Sequence, residues 1–577
     1  MSRIEINIPC CDGSEYVLFP ACAYNGNKFD VLKRDYPPMY KPEEAKVDME
    51  ITITDVPRLN KDGSGTIQVT TGDVSVPCVC VYNKNTNKAF YVYTVQEIDG
   101  ENIGLAYEKG KIILTYPAYR DEIYRWPHMR KNTEKYVDIN ADIPHKIIEE
   151  DCGSMEQFFK TYFKNRKIMG LDDKRPVVLS DEEQFEIQKN KFNTMNWTGE
   201  FYDVDSLGQW QPGWCGGAMA GYALMKLGGK IEYERAIKTL EYLYDNQAQS
   251  GFFYGFSDHK CDGQDMPGTE KWVFIRKSAD ALYFSFKHFE LMDEVPQKMI
   301  DGAKKLADRF VWLWEKYGQF GQFHDCDTGE IIVGNSTAGA IVPASLVKAY
   351  EFFGNEKYLE IAKISAETIY KKDALNGYTT GGPGEILMCP DSESAAALLE
   401  SLTLIYEKTN EQKWLQYSIY MTEFVSSWVV SYNYKFPEGS EFGKHDIKTV
   451  GSVFANAQNK HSAPGICTLS GVSIYKVYKW TGNELYKELY EDITLTVSQY
   501  MSRDDKPIWS WDVPKDASLL NDDTICAERE KLPQGFICER VNMSDWESKR
   551  CIGGVFNGSC WCETTNLLIL AEKPQKL

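Results

Sequence analysis

The chain has 577 residues with a formal charge of −20 and a pI near 5. That charge repels phosphate backbones and anionic lipid surfaces, so neither a nucleic acid nor a membrane is expected as a partner. No stretch reaches the run of about 18 apolar residues that spans a bilayer, and the N-terminal MSRIEINIPCCDGSEYVLF has no apolar export core, so a cytoplasmic, soluble protein is expected.

From the N-terminus, the segments VDMEITITDV, GTIQVTTGDVSVPCVCVY, KAFYVYTVQEI and NIGLAYEKGKIILTYP carry β-branched residues between Gly, Asn and Asp turns. They predict an antiparallel β-sandwich domain over residues 1–165. A linker with helix is expected over 166–195, after the helical segment EQFFKTYFKNRK. The rest of the chain, 196–577, repeats a pattern: a helix rich in Ala, Gly, Ser and Leu on nearly all sides, then an amphipathic charged helix. Helices buried all round should begin near Trp214, Lys277, Ser336, Asp391, His461 and Trp561. Their partners are YERAIKTLEYLYDN, PQKMIDGAKKLADRFVWLWEKYG, NEKYLEIAKISAETIYKK, NEQKWLQYSIYMTEFVSSWV and NELYKELYEDITLTVSQYM. Gly and Asn stops at Gly228, Gly354, Asn410 and Gly482 make the inner-to-outer joints short. The returns to the next inner helix are long and rich in Trp, His, Asp and Glu, so function belongs on that side. The predicted architecture is mainly α with a β domain: a sandwich followed by an (α/α)6 helical toroid.

A β domain followed by an inner and an outer ring of six helices resembles the (α/α)6-toroid carbohydrate-active enzymes, which include glycoside hydrolases, polysaccharide lyases and sugar epimerases. Locally, Tyr378-Thr-Thr-Gly-Gly-Pro-Gly384 followed by Asp391-Ser-Glu-Ser-Ala395 is similar to the segment before an inner helix in β-L-arabinofuranosidase-type toroids, where a Glu binds zinc beside cysteines. Here Ala395 stands where that pattern has a ligand Cys, and no adjacent Cys-Cys pair follows downstream. Only the mouth-facing carboxylate, Glu393, carries over.

Glycoside cleavage needs two carboxyl groups, one protonated and one ionised. Asp391 and Glu393 open the fourth inner helix; an Asp after Pro is equally a helix cap, and a first-turn Glu also suits the helix dipole. Glu441, followed by His445 and Asp446, lies in the long return before the fifth inner helix, where it reads as a mouth residue or as part of a solvated loop. Asp325 either supplies the opposing carboxylate or shapes a turn with Asp327. Candidate substrate-binding residues are Trp210, Trp214, Trp511 and Trp561 for stacking on sugar rings, Asn335, His445 and His461 for hydroxyls, and Arg276 for a substrate carboxylate. Trp197 and Trp509 also fall on this side. Cys526, Cys538, Cys551, Cys560 and Cys562 crowd the last segment beside Glu563, but no Cys-x-x-Cys pair occurs, and neither a metal nor another cofactor is expected. Sixteen scattered cysteines fit a reducing interior.

These features predict an intracellular glycoside hydrolase acting on an oligosaccharide or small glycoside, with self-association into a homo-oligomer left open. A uronate-specific lyase, unsaturated uronyl hydrolase or epimerase on the same scaffold is the rival reading, with Tyr434, His445 or His461 moving a proton and Arg276 holding a carboxylate. A carbohydrate-binding protein without turnover is the third.

Overall fold

The structure is a computed structural model that describes residues 2–125, 128–133, 139–204, 213–255, 271–512, 527–555 and 560–574. Its N-terminal part holds two four-stranded antiparallel sheets. In one, strand Ser2–Asn7 pairs with Lys111–Tyr116, which pairs with Gly104–Glu108 and through it with Thr66–Thr70. In the other the order is His145–Asp151, Lys88–Thr94, Cys78–Asn83 and Tyr16–Leu18.

Period-2 alternation explains why the second sheet is apolar on both faces. Val17, Val79, Val81, Phe90 and Val92 share one core with Ile67, Val69, Leu105, Ile112 and Leu114 of the first sheet. The intervening Leu18, Cys78, Cys80, Tyr91 and Tyr93 enter the core of the helical region instead. There Phe158 of helix α1 (Met155–Asn165) stacks on Tyr91 and Tyr82.

Fourteen α-helices are present among the described residues. The inner helices are α3 (Ala218–Leu227), α5 (Ile275–Phe289), α7 (Val342–Phe353), α9 (Ser392–Thr409), α12 (Val472–Thr481) and α14 (Trp561–Glu572). All fifteen residues of α5 are buried, as a helix surrounded by helices requires. Neighbours pack in succession: α14 on α3, α3 on α5, α5 on α7, α7 on α9 and α9 on α12. The Thr565 hydroxyl, which donates to the Ile466 carbonyl at 3.0 Å, joins α14 to the loop before α12.

Five outer helices are the expected ones: α4 (Lys230–Asp245), α6 (Gln297–Tyr317), α8 (Glu356–Lys372), α10 (Gln412–Val425) and α13 (Glu484–Leu495). The sixth is α2 (Asp181–Lys191), which packs on α14 and lies in the stretch read from sequence as a linker. Asn566 bonds Gln188 across that contact at 3.0 Å. The short joints follow local chemistry. Gly354, Asn410 and Gly482 end α7, α9 and α12 in the left-handed region, and Asn355 and Asn483 cap the next helices by accepting from Lys357 and Leu485 amides.

Two inner-helix starts lie later than the pattern suggests. The third begins at Val342, and the fifth at Val472, because residues 461–471 include Pro464 and the left-handed Thr468 and Gly471, which a helix cannot absorb. Segment VDMEITITDV is mainly a strap. It keeps only the two-residue strand Thr52–Ile53 and runs across the returns before α7 and α9, where Gly334 bonds the Lys46 carbonyl and Met388 the Thr52 carbonyl, both at 2.9 Å.

Candidate active site

The inner-helix starts of α5 and α9 bring charged side chains together under the loops. Asp391 caps α9: its Oδ1 accepts from the Ser394 amide at 2.6 Å and its Oδ2 from the Gly382 amide at 3.0 Å. A Cβ on Gly382 would stand 2.2 Å from Oδ1, so only glycine lets the Thr-Gly-Gly turn approach the cap. Burial pushes the Asp391 carboxyl up to about 6, against those two amides. The cap fixes the first turn, and with it Glu393, which is 6% exposed.

Arg276, on the first turn of α5, lies beside it. Its Nε donates to Asp280 at 2.9 Å and its Nη2 to the Thr468 hydroxyl at 2.6 Å, while Nη1 stands 3.6 Å from Glu393 Oε2. That Nη1 is buried and makes no hydrogen bond. Trp214 donates its indole N–H to Asp280 at 3.2 Å, and the Lys277 ammonium sits over the Trp214 ring. Burial pulls the guanidinium's pKa down, but Asp280 and Glu393 outweigh it and keep Arg276 charged.

Glu393 is displaced far from its ordinary value of 4.5. Burial pushes its carboxyl up to about 8; Arg276 opposes this, and the nearby carboxylates Glu385, Asp391 and Asp280 add to it. A glutamate with that value holds its proton at neutral pH, which is what a general acid needs. Burial likewise raises Glu385, in the short turn Gly384–Ile386, and Cys467, whose thiol feels Glu393. Neither was picked out from sequence. Glu385 lies between the Thr-Gly-Gly turn and Asp391 and so was findable there, whereas Cys467 carries no local signal.

The other expected residues fall into different surroundings. Glu441, on the one-turn helix α11 (Glu441–Lys444), accepts from the Trp509 amide at 2.9 Å and pairs with His445 Nε2 at 3.1 Å. Burial raises its carboxyl, but these partners hold it below the usual range. Asp325 ends a three-residue strand, and its Oδ1 accepts from the amides of Asp327 and Thr328 and from the Thr328 hydroxyl. It is engaged in closing a turn. Asn335 has a left-handed backbone, donates to the Met49 carbonyl of the strap at 2.7 Å and accepts from Lys372. His461 is buried beside Arg540, and burial pushes its imidazole down to about 3, so it is neutral. Trp561 begins α14 and is 8% exposed, the Trp511 ring packs against Gly554, and Trp210 lies outside the described residues.

Two clefts, of about 730 and 500 Å³, open where the Tyr434–Glu438 return meets the sheets, and no member of the Arg276–Glu393 cluster lines either. Among the described residues, no group of three or more His, Cys, Asp or Glu is arranged to hold a metal ion, and no helix is long and apolar enough to cross a membrane.

No family model matches the sequence, and no curated protein does. Among solved structures, the chain is similar to a family 76 glycoside hydrolase from a bovine Bacteroides thetaiotaomicron strain, at 13% identity and a TM-score of 0.44, covering 86% of this chain and 96% of that one. It is also similar to a sugar epimerase from a ruminal bacterium, at 9% identity and 0.43, covering 69% and 100%. A third likeness is to an unsaturated glucuronyl hydrolase specific for heparin, at 13% identity and 0.40, covering 68% and 95%. Likenesses at this level say nothing of what the chain binds or turns over, and the ring rests on its own helix packing.

Proposed function

We propose that the chain is an intracellular glycoside hydrolase that cleaves an oligosaccharide or small glycoside by carboxylic acid and base chemistry where the inner helices begin. The observation that carries this reading is Glu393, a buried carboxyl whose pKa of about 8 keeps it protonated at neutral pH beside a charged Arg276. In this reading Glu393 protonates the leaving glycosidic oxygen. Glu385, whose charge acts on Glu393, is the carboxylate that activates water or attacks the sugar carbon, and Asp391 holds the turn that positions both. Trp214, anchored on Asp280, supplies a stacking face for a sugar ring. In this reading Glu441 and Asp325 take no part in proton transfer, Glu441 being engaged by the Trp509 amide and His445 and Asp325 by its own turn.

The test is a screen of aryl glycosides and oligosaccharides, uronic acids included, with product detection. Turnover by the natural chain and its loss in Glu393→Gln, by about 10²- to 10⁴-fold, is the expected result. A Glu393→Gln variant as active as the natural chain removes the reading, and sugar binding without any product favours the non-catalytic alternative.

One observation favours a second reading. Arg276 presents a buried Nη1 without a hydrogen-bond partner, suited to a substrate carboxylate, which would make the substrate a uronate and the reaction elimination, hydration or epimerisation. An unsaturated product absorbing in the near ultraviolet, or the loss of such absorbance, distinguishes it. We also read the two N-terminal sheets as a β-sandwich domain, supported by their shared core, and the compartment as cytoplasmic, supported by sixteen cysteines scattered without a paired framework in the sequence.

A further inference from the structure

Cys22 and Lys460 meet at the seam between the sheets and the ring. Cys22 lies in the tight turn that follows strand Tyr16–Leu18, held by its own amide on the Phe19 carbonyl at 2.9 Å and by Asn27, which donates to its carbonyl at 3.0 Å. Lys460 lies in the return before α12, in a left-handed backbone conformation that follows the Asn456 side-chain turn. The two residues are 0% and 2% exposed, and Lys460 Nζ stands 2.7 Å from Cys22 Sγ.

Three things about this contact are unusual. Sulfur is larger than oxygen, yet the separation is at the short end of the range of about 2.7–3.2 Å found for N–H···O bonds. Lys460 has three N–H donors, and among the described residues Cys22 Sγ is its only hydrogen-bond partner. The thiol belongs to the apolar core between the two sheets, and the charge of the buried Asp73 carboxylate reaches both it and the Lys460 ammonium. One oxygen atom placed between Nζ and Sγ fills this geometry, and as a neutral bridge it removes the buried charge.

We propose that Lys460 and Cys22 are a modification site, joined covalently through one oxygen as an N–O–S bridge formed with dioxygen. The step balances. The amine of Lys460, after the ammonium loses its proton to water, and the Cys22 thiol react with one dioxygen; N–O and O–S bonds form, an N–H, the S–H and the O–O bond break, and the second oxygen leaves as water with the two hydrogens. Nitrogen and sulfur each lose two electrons, and dioxygen takes all four. Two equivalents of a dithiol reverse the step, giving amine, thiol, water and two disulfides. Because Ala455 and Ala457 bond the main chain at Ser392 and Pro390, the bridge ties the sheets to the segment that carries Asp391 and Glu393.

The test is mass spectrometry on the full chain held in air-saturated buffer. The expected result is a gain of one oxygen less two hydrogens, a peptide pair joining Cys22 to Lys460 after digestion, and loss of both on dithiol treatment. Cys22→Ser and Lys460→Arg each abolish the gain, but the natural chain alone decides the matter. If, after unfolding, Cys22 alkylates fully and Lys460 is fully methylated, or if Cys22 carries oxygen while Lys460 stays free, the site is not a bridge.

Discussion

Glu393 has a consequence for stability that is separate from activity. Its ordinary value of 4.5 rises to about 8 in the folded chain, so between these values the folded state holds a proton that the unfolded state has lost. Stability from this group is therefore complete below the unfolded value and falls as pH rises through the folded one, by an amount of order a few kcal/mol. Glu393→Gln removes the titration. Denaturant unfolding at pH 5 and pH 8 should show the variant gaining on the natural chain at the higher pH; an unchanged difference would mean that Glu393 is not held protonated. For activity the same group predicts a basic limb, with turnover declining above about pH 8, which a pH–rate profile checks. Arg276 behaves oppositely: Arg276→Met leaves Asp280 buried without its guanidinium and should cost about 3–5 kcal/mol, measured by thermal or denaturant unfolding.

At the scale of elements, the strap over residues 46–54 is seated by close main-chain approach. A Cβ on Gly334 would stand 1.9 Å from the Val47 carbonyl oxygen. Gly334→Ala should therefore lift the strap, cost about 1–3 kcal/mol as overpacking does, and raise protease cleavage near residues 41–50; an unchanged digestion pattern would show that the strap is held elsewhere. The elements differ in how clearly the sequence announced them. Outer helices such as α6 and α8 show their stripe of Leu, Ala and Ile between Lys and Glu, and stops such as Gly354-Asn355 mark the joints, so existence and order were readable from local chemistry. Helix α2 was not, since its role as the sixth outer helix depends on α14, almost four hundred residues away, and nothing local encodes that contact. At the candidate site, the Thr-Gly-Gly turn and Asp391-Ser-Glu393 were legible as one stretch, and the structure sets them beside Arg276. Glu441 and Asp325 are of the same residue type as Glu393 and Asp391, and their partners, the Trp509 amide and the Thr328 turn, set them in other surroundings. Glu385 sits in the same stretch, between that turn and Asp391, whereas Cys467 joins the cluster through tertiary placement alone.

At the scale of the whole molecule, sheets and ring are joined by charge as well as by packing. Arg120 grips Asp545 through two hydrogen bonds of 3.1 and 2.6 Å, and Arg125 approaches the same carboxylate at 2.8 Å, all three residues being buried. The two guanidiniums hold Asp545 well below the usual carboxylate range against the cost of burial, so its contribution is present at neutral pH and is lost as pH falls below the ordinary value of 3.8. Asp545→Asn should cost about 3–5 kcal/mol and split the calorimetric melt into two transitions; a single transition at the natural temperature would show that apolar packing alone couples the two parts. The pairing of α2 with α14 has a bearing on biosynthesis. The ring is sealed by its earliest helix and its latest, so a ribosome making this chain releases an open arc, and the circle closes only when the final helix has left the exit tunnel.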